Sequence, residues 1–469
     1  MTCFLISAIH KSSGKTMLAL GLAAAFRRRG RTVQTFKKGP DYIDAMWLGR
    51  AAGRPCRNLD FHTMSGPEIE ALFAAHATRA EVAIVEGNKG LFDGVDVAGS
   101  DSNAALAELL ATPVLLVVDA RGMTRGIAPL VQGYQSFGPE LRFAGVVLNQ
   151  VGGPRHEGKL RAALEHYTDL PVLGAIGRHP EVEIAERHLG LVPTNEAHGI
   201  DATIERIADI VVRDLDLAAI EALERSAAGA TGTAAPTPSR RTPGVRIAVA
   251  RDAAFGFYYP DDLEALARAG AELLPFDTAR DARLPAADGL FIGGGFPETQ
   301  AAALEANGVL RREIARALGA GMPAYAECGG LLYLCQSLET HKGRFRMVGF
   351  LPGNAVMHER PVGRGYVKLQ ETADMPWPAA PAGENLPAHE FHYAGLENLP
   401  EGERYAYRVV RGYGIDGRND GLVRGNVLAT FAHQRHVGAN RWAERFAAFV
   451  ADRRWREGAE FVEAAEAGR

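Results

Sequence analysis

Short apolar runs alternate with helix-spaced stretches through the first half of the chain. FLISA (4–8), EVAIVE (81–86), PVLLVVDA (113–120), FAGVVLN (143–149) and PVLGAI (171–176) are largely apolar, the pattern of strands covered on both faces, and TVQTFK (32–37) is a further candidate strand. Between most of them lie segments such as TMLALGLAAAFRRRG (16–30), whose apolar spacing reads as helix. This alternation predicts a mostly parallel sheet with helices on both faces. The pattern stops at SAAGATGTAAPTPSRRTPG, Ser226–Gly244, which is small, polar and rich in Pro and Gly and reads as a flexible linker. It restarts with VRIAVA (245–250), AELLPF (271–276), DGLFIGGG (288–295) and MPAYAEC (322–328), separated by helical segments such as PETQAAALEANGVLRREIARAL (297–318). The expected organisation is two α/β domains, residues 1–222 and 244–455, joined by a linker over 223–243, with no internal repeat between the halves.

Composition narrows the class without choosing a function. A length of 469 residues suits two to three cores. The formal net charge of −4 makes no broad electrostatic case for nucleic acid or an anionic membrane. No apolar stretch is long enough to span a bilayer, and the N-terminus lacks a basic-then-apolar signal layout. The four cysteines form no C-x-x-C pair, which argues against a disulfide framework or a zinc site. A soluble cytoplasmic protein is the expectation.

In the first half, FLISA runs through IHKSSGKT into a helix. This puts Ser12, Ser13, Gly14, Lys15 and Thr16 where a phosphate-binding loop turns its backbone N–H groups and a helix N-terminus toward phosphate. In such a loop Lys15 reaches the terminal phosphates and the Thr16 hydroxyl ligates Mg²⁺. The full consensus would have glycine where this chain has Ile9. Acids follow the next strand ends: Asp41 and Asp44 in TFKKGPDYIDA, Glu86 and Asp93 in EVAIVEGNKGLFDG. Ligands of open parallel sheets collect beyond the carboxyl ends of the strands, so all four acids are expected in the crevice of the loop. Mg²⁺ needs only one or two of them. Lys37, Lys38 and Lys89 read either as partners for phosphate or a carboxylated substrate, or as surface charge. Asn149 reads either as a contact to a nucleotide base or as a turn former.

The second half carries the sharpest local signal, MPAYAECGGLLYLCQSL. A buried strand turns directly into an apolar helix with Cys328 at the turn, the elbow arrangement of a nucleophile. A helix N-terminus favours the thiolate, and backbone N–H groups of Gly329 and of the IGGGFPE loop can form an oxyanion hole. GNVLATFAHQRH supplies a base, His433, just after another apolar strand; His436 lies further on and ranks lower. Cys335 reads as core.

Taken together, these residues resemble the cobyrinic acid a,c-diamide synthase family of glutamine-dependent amidotransferases. The likeness spans nearly the whole chain outside the linker and the last few residues. It is carried in order by SGKT, FKKGPDYID, GRPCRNLD, EGNKGLFDG, VLNQVGG, GGGFPE, YAECGGLLYL, PAHEFHY and ATFAHQ. The resemblance implies an N-terminal P-loop domain similar to dethiobiotin synthetase and a C-terminal class I glutaminase-like α/β domain. The implied activity, in cobalamin biosynthesis, is ATP-dependent amidation of the a and c side-chain carboxylates of cobyrinic or hydrogenobyrinic acid through acyl phosphates. L-Glutamine is the implied nitrogen donor and a carboxylated tetrapyrrole the implied acceptor.

By the same resemblance Cys328 attacks the glutamine amide, with His433 as base and then general acid, and Gly294, Gly295 and Gly329 line the oxyanion site. Ser12, Ser13, Gly14, Lys15, Thr16 and Asn149 bind ATP, while Thr16, Asp41 and Glu86 hold Mg²⁺. Tyr42, Asp44 and Asp93 lie at the acceptor and phosphorylation site. A homodimer is the ordinary expectation for such an enzyme.

The chain departs from the family pattern in places. HKSSGKT is poorer in glycine, and Lys11 sits one residue off the register of the extra lysine in deviant Walker loops. Asn88-Lys89 stand where the family commonly has two apolar residues, and the continuation of NLDFH also differs. Both changes fall near the implied acceptor site and leave sirohaem, or another tetrapyrrole, as an alternative acceptor. Many class I glutaminases carry an acid two residues after the catalytic histidine; here that position is Arg435, so the resemblance implies a Cys–His dyad. A reading from another class is a switch-type P-loop ATPase with an inactive glutaminase-like module, for which a thiol on an elbow has no use. A dethiobiotin-type ligase using bicarbonate leaves the second domain unexplained.

Overall fold

The computed structural model describes residues 1–138, 140–182, 186–187, 190–224, 244–378 and 385–453. The segment read as a linker lies outside the described residues from 225 to 243, as does the chain end from 454. Backbone contacts divide the chain into two compact units, Met1–Ala235 and Pro236–Arg469. Among the described residues no helix is long and apolar enough to cross a membrane.

The first unit is built on a seven-stranded sheet. Its strands are β1 (Thr2–Ala8), β2 (Val33–Lys38), β3 (Arg57–Leu59), β4 (Val82–Glu86), β5 (Val114–Asp119), β6 (Phe143–Val151) and β7 (Val172–Gly177). They lie in the order β3-β2-β4-β1-β5-β6-β7, every neighbouring pair parallel. All residues of β1, β2, β4 and β5 are buried; β1, β4 and β5 accordingly run largely apolar without alternation, whereas β2 buries Gln34, Thr35, Lys37 and Lys38. The chain leaves β1 for helix α1 (Lys15–Arg28) and leaves β2 for helix α2 (Ile43–Ala52). Because β1 lies between β4 and β5, the segments beyond β1 and β4 meet at the sheet's switch point. Strand β3, with the sequence Arg-Asn-Leu, has too short an apolar run to be visible in the pattern.

The second unit has a nine-stranded mixed sheet. Ala271–Phe276, Val245–Ala250, Gly289–Ile292, Ala324–Glu327 and Val427–Thr430 form its parallel half in that order. Asn419–Arg424, Arg404–Arg411, Gly363–Glu371 and Leu386–His392 continue it antiparallel. One face packs on an aliphatic core that includes Leu290, Ile314, Leu331 and Leu334. The other packs on aromatic residues, with the Phe291 and Tyr325 rings stacked at 5.4 Å and Trp442 against both. The segment 297–318, read as continuously helical, is broken into a 3₁₀ turn (Pro297–Thr299) and two helices, Ala301–Ala306 and Gly308–Gly319. Asn307 makes the break: its Oδ1 accepts from Leu310 N–H at the second helix start, and its Nδ2 donates to the Thr278 and Asp281 carbonyls.

Candidate functional site

The first cluster begins at the β1–α1 loop. Gly14 caps α1 in the left-handed region, φ 94°, where a side chain is strained. A Cβ there would also lie 2.1 Å from Asn149 Nδ2. Asn149 is buried at the end of β6 and donates to the Ser13 carbonyl at 2.9 Å, so the structure places it as a brace beneath the loop. Ser13 is fully buried, and its hydroxyl donates to the His10 carbonyl. Ser12 is exposed at φ 62°, and Lys11 is exposed beside it. Tyr134 donates its hydroxyl to the Ile9 carbonyl at 2.7 Å. The missing consensus glycine is thus met by a loop tied down at both ends. Lys15 is buried, and desolvation lowers its ammonium to about 8 despite the nearby Glu86.

Register explains why the acids meet there. In the parallel β1–β4 pair Ile6 faces Glu86, and in the β2–β4 pair Lys37 faces Glu86. The Thr16 hydroxyl donates to Glu86 Oε1 at 2.6 Å and lies 3.5 Å from Asp44 Oδ2. Lys37 Nζ sits 2.6 Å from Asp44 Oδ2 and 3.1 Å from Glu86 Oε1. Asp41 Oδ1 accepts the Asp44 N–H at 2.9 Å. Burial opposes charge on Lys37, but Asp44, Glu86 and Asp41 outweigh it and hold its ammonium above the ordinary lysine value. Burial, then the charge of Asp44, pushes Asp41 up to about 7; burial also raises Glu86. Lys37 therefore is no surface charge. Lys38 is also buried and donates to Asn88 Oδ1, and desolvation lowers its basicity. Lys89 adopts φ 44° on the loop after β4.

Glu86 is fully buried, and its Oε2 has no hydrogen-bond partner among the described residues. An orphaned carboxylate oxygen beside a hydroxyl and further acids is a hard-oxygen donor set suited to Mg²⁺. Tyr42 is buried at the start of α2, its carbonyl accepting the Met46 N–H. Asp93 is exposed on the loop beyond β4, its Oδ2 accepting the Gly90 N–H at 2.8 Å, close enough for its charge to act on Lys15. Two bracing residues escaped sequence reasoning. Asn58 donates to the Gly39 and Asp41 carbonyls, and Asn103 donates to the Gly90 carbonyl and to Ser7 Oγ.

The second cluster follows from parallel pairing of Ala324–Glu327 with Val427–Thr430, which brings Cys328 and His433 out at neighbouring strand ends. Cys328 holds φ 47°, ψ −101°, a costly conformation for a side chain. Its N–H donates to the Thr430 carbonyl at 2.7 Å and its carbonyl accepts from Leu332 N–H. Asp420, buried, accepts the N–H groups of Gly421, Phe431 and Ala432 and so sets the turn into His433; burial raises its carboxyl to about 6.

His433 is buried and stacks on His389 with centroids 4.9 Å apart and 16° between planes. Burial works against its charge, but hydrogen bonding to Cys328 and to Glu327 outweighs that and raises it to about 10. The carboxylate at its Nδ1 is Glu327, 3.7 Å away, a partner that the dyad expectation lacks. Gly294 packs directly on the imidazole, and a Cβ on Gly329 would lie 3.0 Å from the Gly295 carbonyl, so all three glycines gather around the elbow. His436 turns to Glu444, and burial lowers it to about 4. Cys335 is core, with burial pushing its thiol up to about 12.

Residues 5–192 match the family model of the CobQ/CobB/MinD/ParA nucleotide binding domain, and residues 246–440 match that of the CobB/CobQ-like glutamine amidotransferase domain. Over 464 residues the chain is 47% identical to the cobyrinate a,c-diamide synthase of Magnetococcus marinus, covering 97% of both chains. The protein of the same name from Methanosarcina acetivorans is 40% identical over 461 residues, 92% of each chain. That from Archaeoglobus fulgidus is 40% identical over 443 residues, 94% of this chain and 96% of the relative.

Proposed function

The chain belongs to the cobyrinate a,c-diamide synthase family, and from that premise we infer that it amidates the a and c side-chain carboxylates of cobyrinic acid or hydrogenobyrinic acid, using ATP and L-glutamine. One observation carries the reading: identity of 47% holds across 97% of the chain, so both clusters belong to the likeness. The names of the relatives favour a corrinoid acceptor over sirohaem.

The division of labour follows from the chemistry. A carboxylate resists nucleophiles because of its charge and because oxide is a poor leaving group. Phosphorylation supplies an electrophile and a leaving group together, and ammonia then displaces phosphate. In the first unit the β1–α1 loop and Lys15 cradle the phosphates. Thr16, Asp41 and Glu86 would hold Mg²⁺, whose charge, when bound, offsets that of the transferring phosphoryl group. Tyr42, Asp44 and Asp93 orient the acceptor carboxylate. In the second unit His433 holds the thiol proton, so that Cys328 Sγ bonds to the glutamine amide carbon as a thiolate, and the oxyanion is met by backbone N–H groups around Gly294, Gly295 and Gly329. His433 returns that proton to nitrogen as the C–N bond breaks and ammonia leaves; water then hydrolyses the thioester to glutamate.

Mass spectrometry of cobyrinic acid, hydrogenobyrinic acid and sirohaem, each incubated with the protein, Mg-ATP and glutamine, tests this. Two successive amidations of a corrin acceptor are expected. Amidation of sirohaem alone overturns the acceptor assignment, and ATP hydrolysis without any amidated product overturns the reaction.

A further inference from the structure

We propose that Glu327 is the positioning carboxylate of the glutaminase site, holding the His433 imidazole with Nδ1 toward itself and Nε2 toward the Cys328 thiol. The proposal rests on the glutaminase reading above and adds a third member to the pair implied by family resemblance.

Glu327 is buried, with Oε2 3.7 Å from His433 Nδ1. Its other oxygen is pinned: Oε1 accepts the Tyr325 hydroxyl at 2.6 Å and the Gln434 N–H at 3.0 Å. One carboxylate thereby grips the backbone next to the histidine and faces its ring. Successive residues of a strand point to opposite faces, so Glu327 and Cys328 would ordinarily diverge. The positive φ of Cys328 breaks that alternation and lets both face one imidazole. The register pairs Glu327 with Thr430, level with the start of the turn to His433. A separation of 3.7 Å is long for a hydrogen bond and usual for a site that tightens around substrate. A carboxylate on Nδ1 fixes the tautomer in which Nε2 can take the nucleophile's proton.

Arg435, at the position where many class I glutaminases place their acid, points elsewhere: its guanidinium lies 3.4 Å from Asp261 and 5.0 Å over the Tyr259 ring. The titratable groups facing the imidazole are Cys328, Glu327 and the stacked His389, whose Nδ1 lies 3.5 Å from the Tyr259 hydroxyl. Burial raises Tyr325, Tyr258 and Asp262, and the negative charge of Glu327 adds to each. Burial alone would lower the basicity of His433; its rise comes from Cys328 and Glu327.

The test compares wild type with Glu327→Gln, which keeps an acceptor for Tyr325 and Gln434. Wild-type glutamine hydrolysis is the control: its absence sinks the glutaminase reading itself. Given that activity, the variant is expected to lose roughly 10²-fold or more in kcat for glutamine, with KM within roughly threefold. Iodoacetamide alkylation of Cys328, followed by peptide mass, should slow roughly tenfold at about pH 7 and match wild type at about pH 10. A folded variant with wild-type kcat, or one whose alkylation profile is unchanged, overturns the proposal. Should the variant not fold, ¹⁵N-histidine NMR of wild type decides. Expected is a proton kept on His433 Nδ1 once the ring is neutral, above about pH 10; a neutral ring protonated on Nε2 overturns the proposal.

Discussion

Gly294→Ala puts the packing of the glutaminase cluster to a quantitative test. A Cβ at 294 would lie 2.4 Å from His433 Cε1, 3.3 Å from Nδ1 and 3.4 Å from Nε2. Carbon atoms in contact sit at about 3.5 Å or more, so the ring must retreat by about 1 Å. Gly294 lies outside the positive-φ region, so the backbone accepts alanine and the whole conflict falls on the imidazole. That ring has little room to yield. It is stacked on His389, and the backbones of the two histidines exchange hydrogen bonds of 2.7 and 3.2 Å. A misplacement of about 1 Å in a catalytic group costs on the order of 10²-fold, and overpacking of a core adds about 1–3 kcal/mol of destabilisation. The assay is glutamate release in single-turnover and steady-state modes, with ammonia-driven amidation measured in parallel to report on the first unit. Glutamine-dependent kcat should fall about 10²-fold while the ammonia-driven rate stays at its wild-type value. Glutaminase activity within about threefold of wild type would refute the reasoning, because the described contact between glycine and ring could then not exist.

Two pH-linked predictions concern the first cluster. Burial lowers Lys15 to about 8, so the free protein loses that ammonium as pH rises through this value. kcat/KM for Mg-ATP should then fall roughly tenfold per pH unit while kcat, set in the bound complex, stays flat; a constant kcat/KM up to about pH 9.5 contradicts it. Burial and the charge of Asp44 raise Asp41 to about 7, above the unfolded value of about 3.9. The folded chain holds that proton more tightly, so the contribution is full below the unfolded value and lost as pH rises through about 7. Asp41→Asn keeps an acceptor for the Asp44 N–H and should raise the melting temperature at pH 8 by about 2 °C or more, and by clearly less at pH 5. Equal shifts at both pH values count against the assignment.

What the sequence made legible is what local pattern can carry. Strands β1, β4, β5, β6 and β7 and the parallel half of the second sheet stand out because largely apolar runs lie between helix-spaced segments; β2, with Gln34, Thr35, Lys37 and Lys38, stands out only by its place in that alternation. The loop around Lys15 and the elbow at Cys328 stand out because each joins such a run to a helix through small residues. The antiparallel strands of the second sheet stayed hidden, since Arg404–Arg411 and Gly363–Glu371 mix charged and apolar positions. The bracing roles also stayed hidden. Asn58, Asn103 and Asp420 are buried polar groups bonded to carbonyls or N–H groups elsewhere in the chain, and Asn149, legible as a candidate residue, braces a carbonyl 136 positions away; nothing local announces such a partner. Glu327 had one signal, adjacency to Cys328, which strand alternation argued against until the turn geometry was visible.

The two clusters solve one electrostatic problem in different ways. Each gathers charge at the carboxyl ends of buried parallel strands, where an unpaired ion is expensive. Among the described residues of the first unit, Lys37 stands between Asp44 and Glu86, each within 3.1 Å. In the second, His433 stands between Glu327 and Cys328. In both, a basic group lies among acidic partners supplied by the chain itself, the kind of arrangement that preorganises a site for its reactant. The balance differs. The carboxylates of Asp41, Asp44 and Glu86 meet the ammonium groups of Lys37 and Lys15, yet among the described residues Glu86 Oε2 has no hydrogen-bond partner. The first cluster therefore keeps an open carboxylate oxygen that a divalent cation can fill. At the second, one imidazole meets one carboxylate and one thiol, a set that needs no further cation and is free to move a proton.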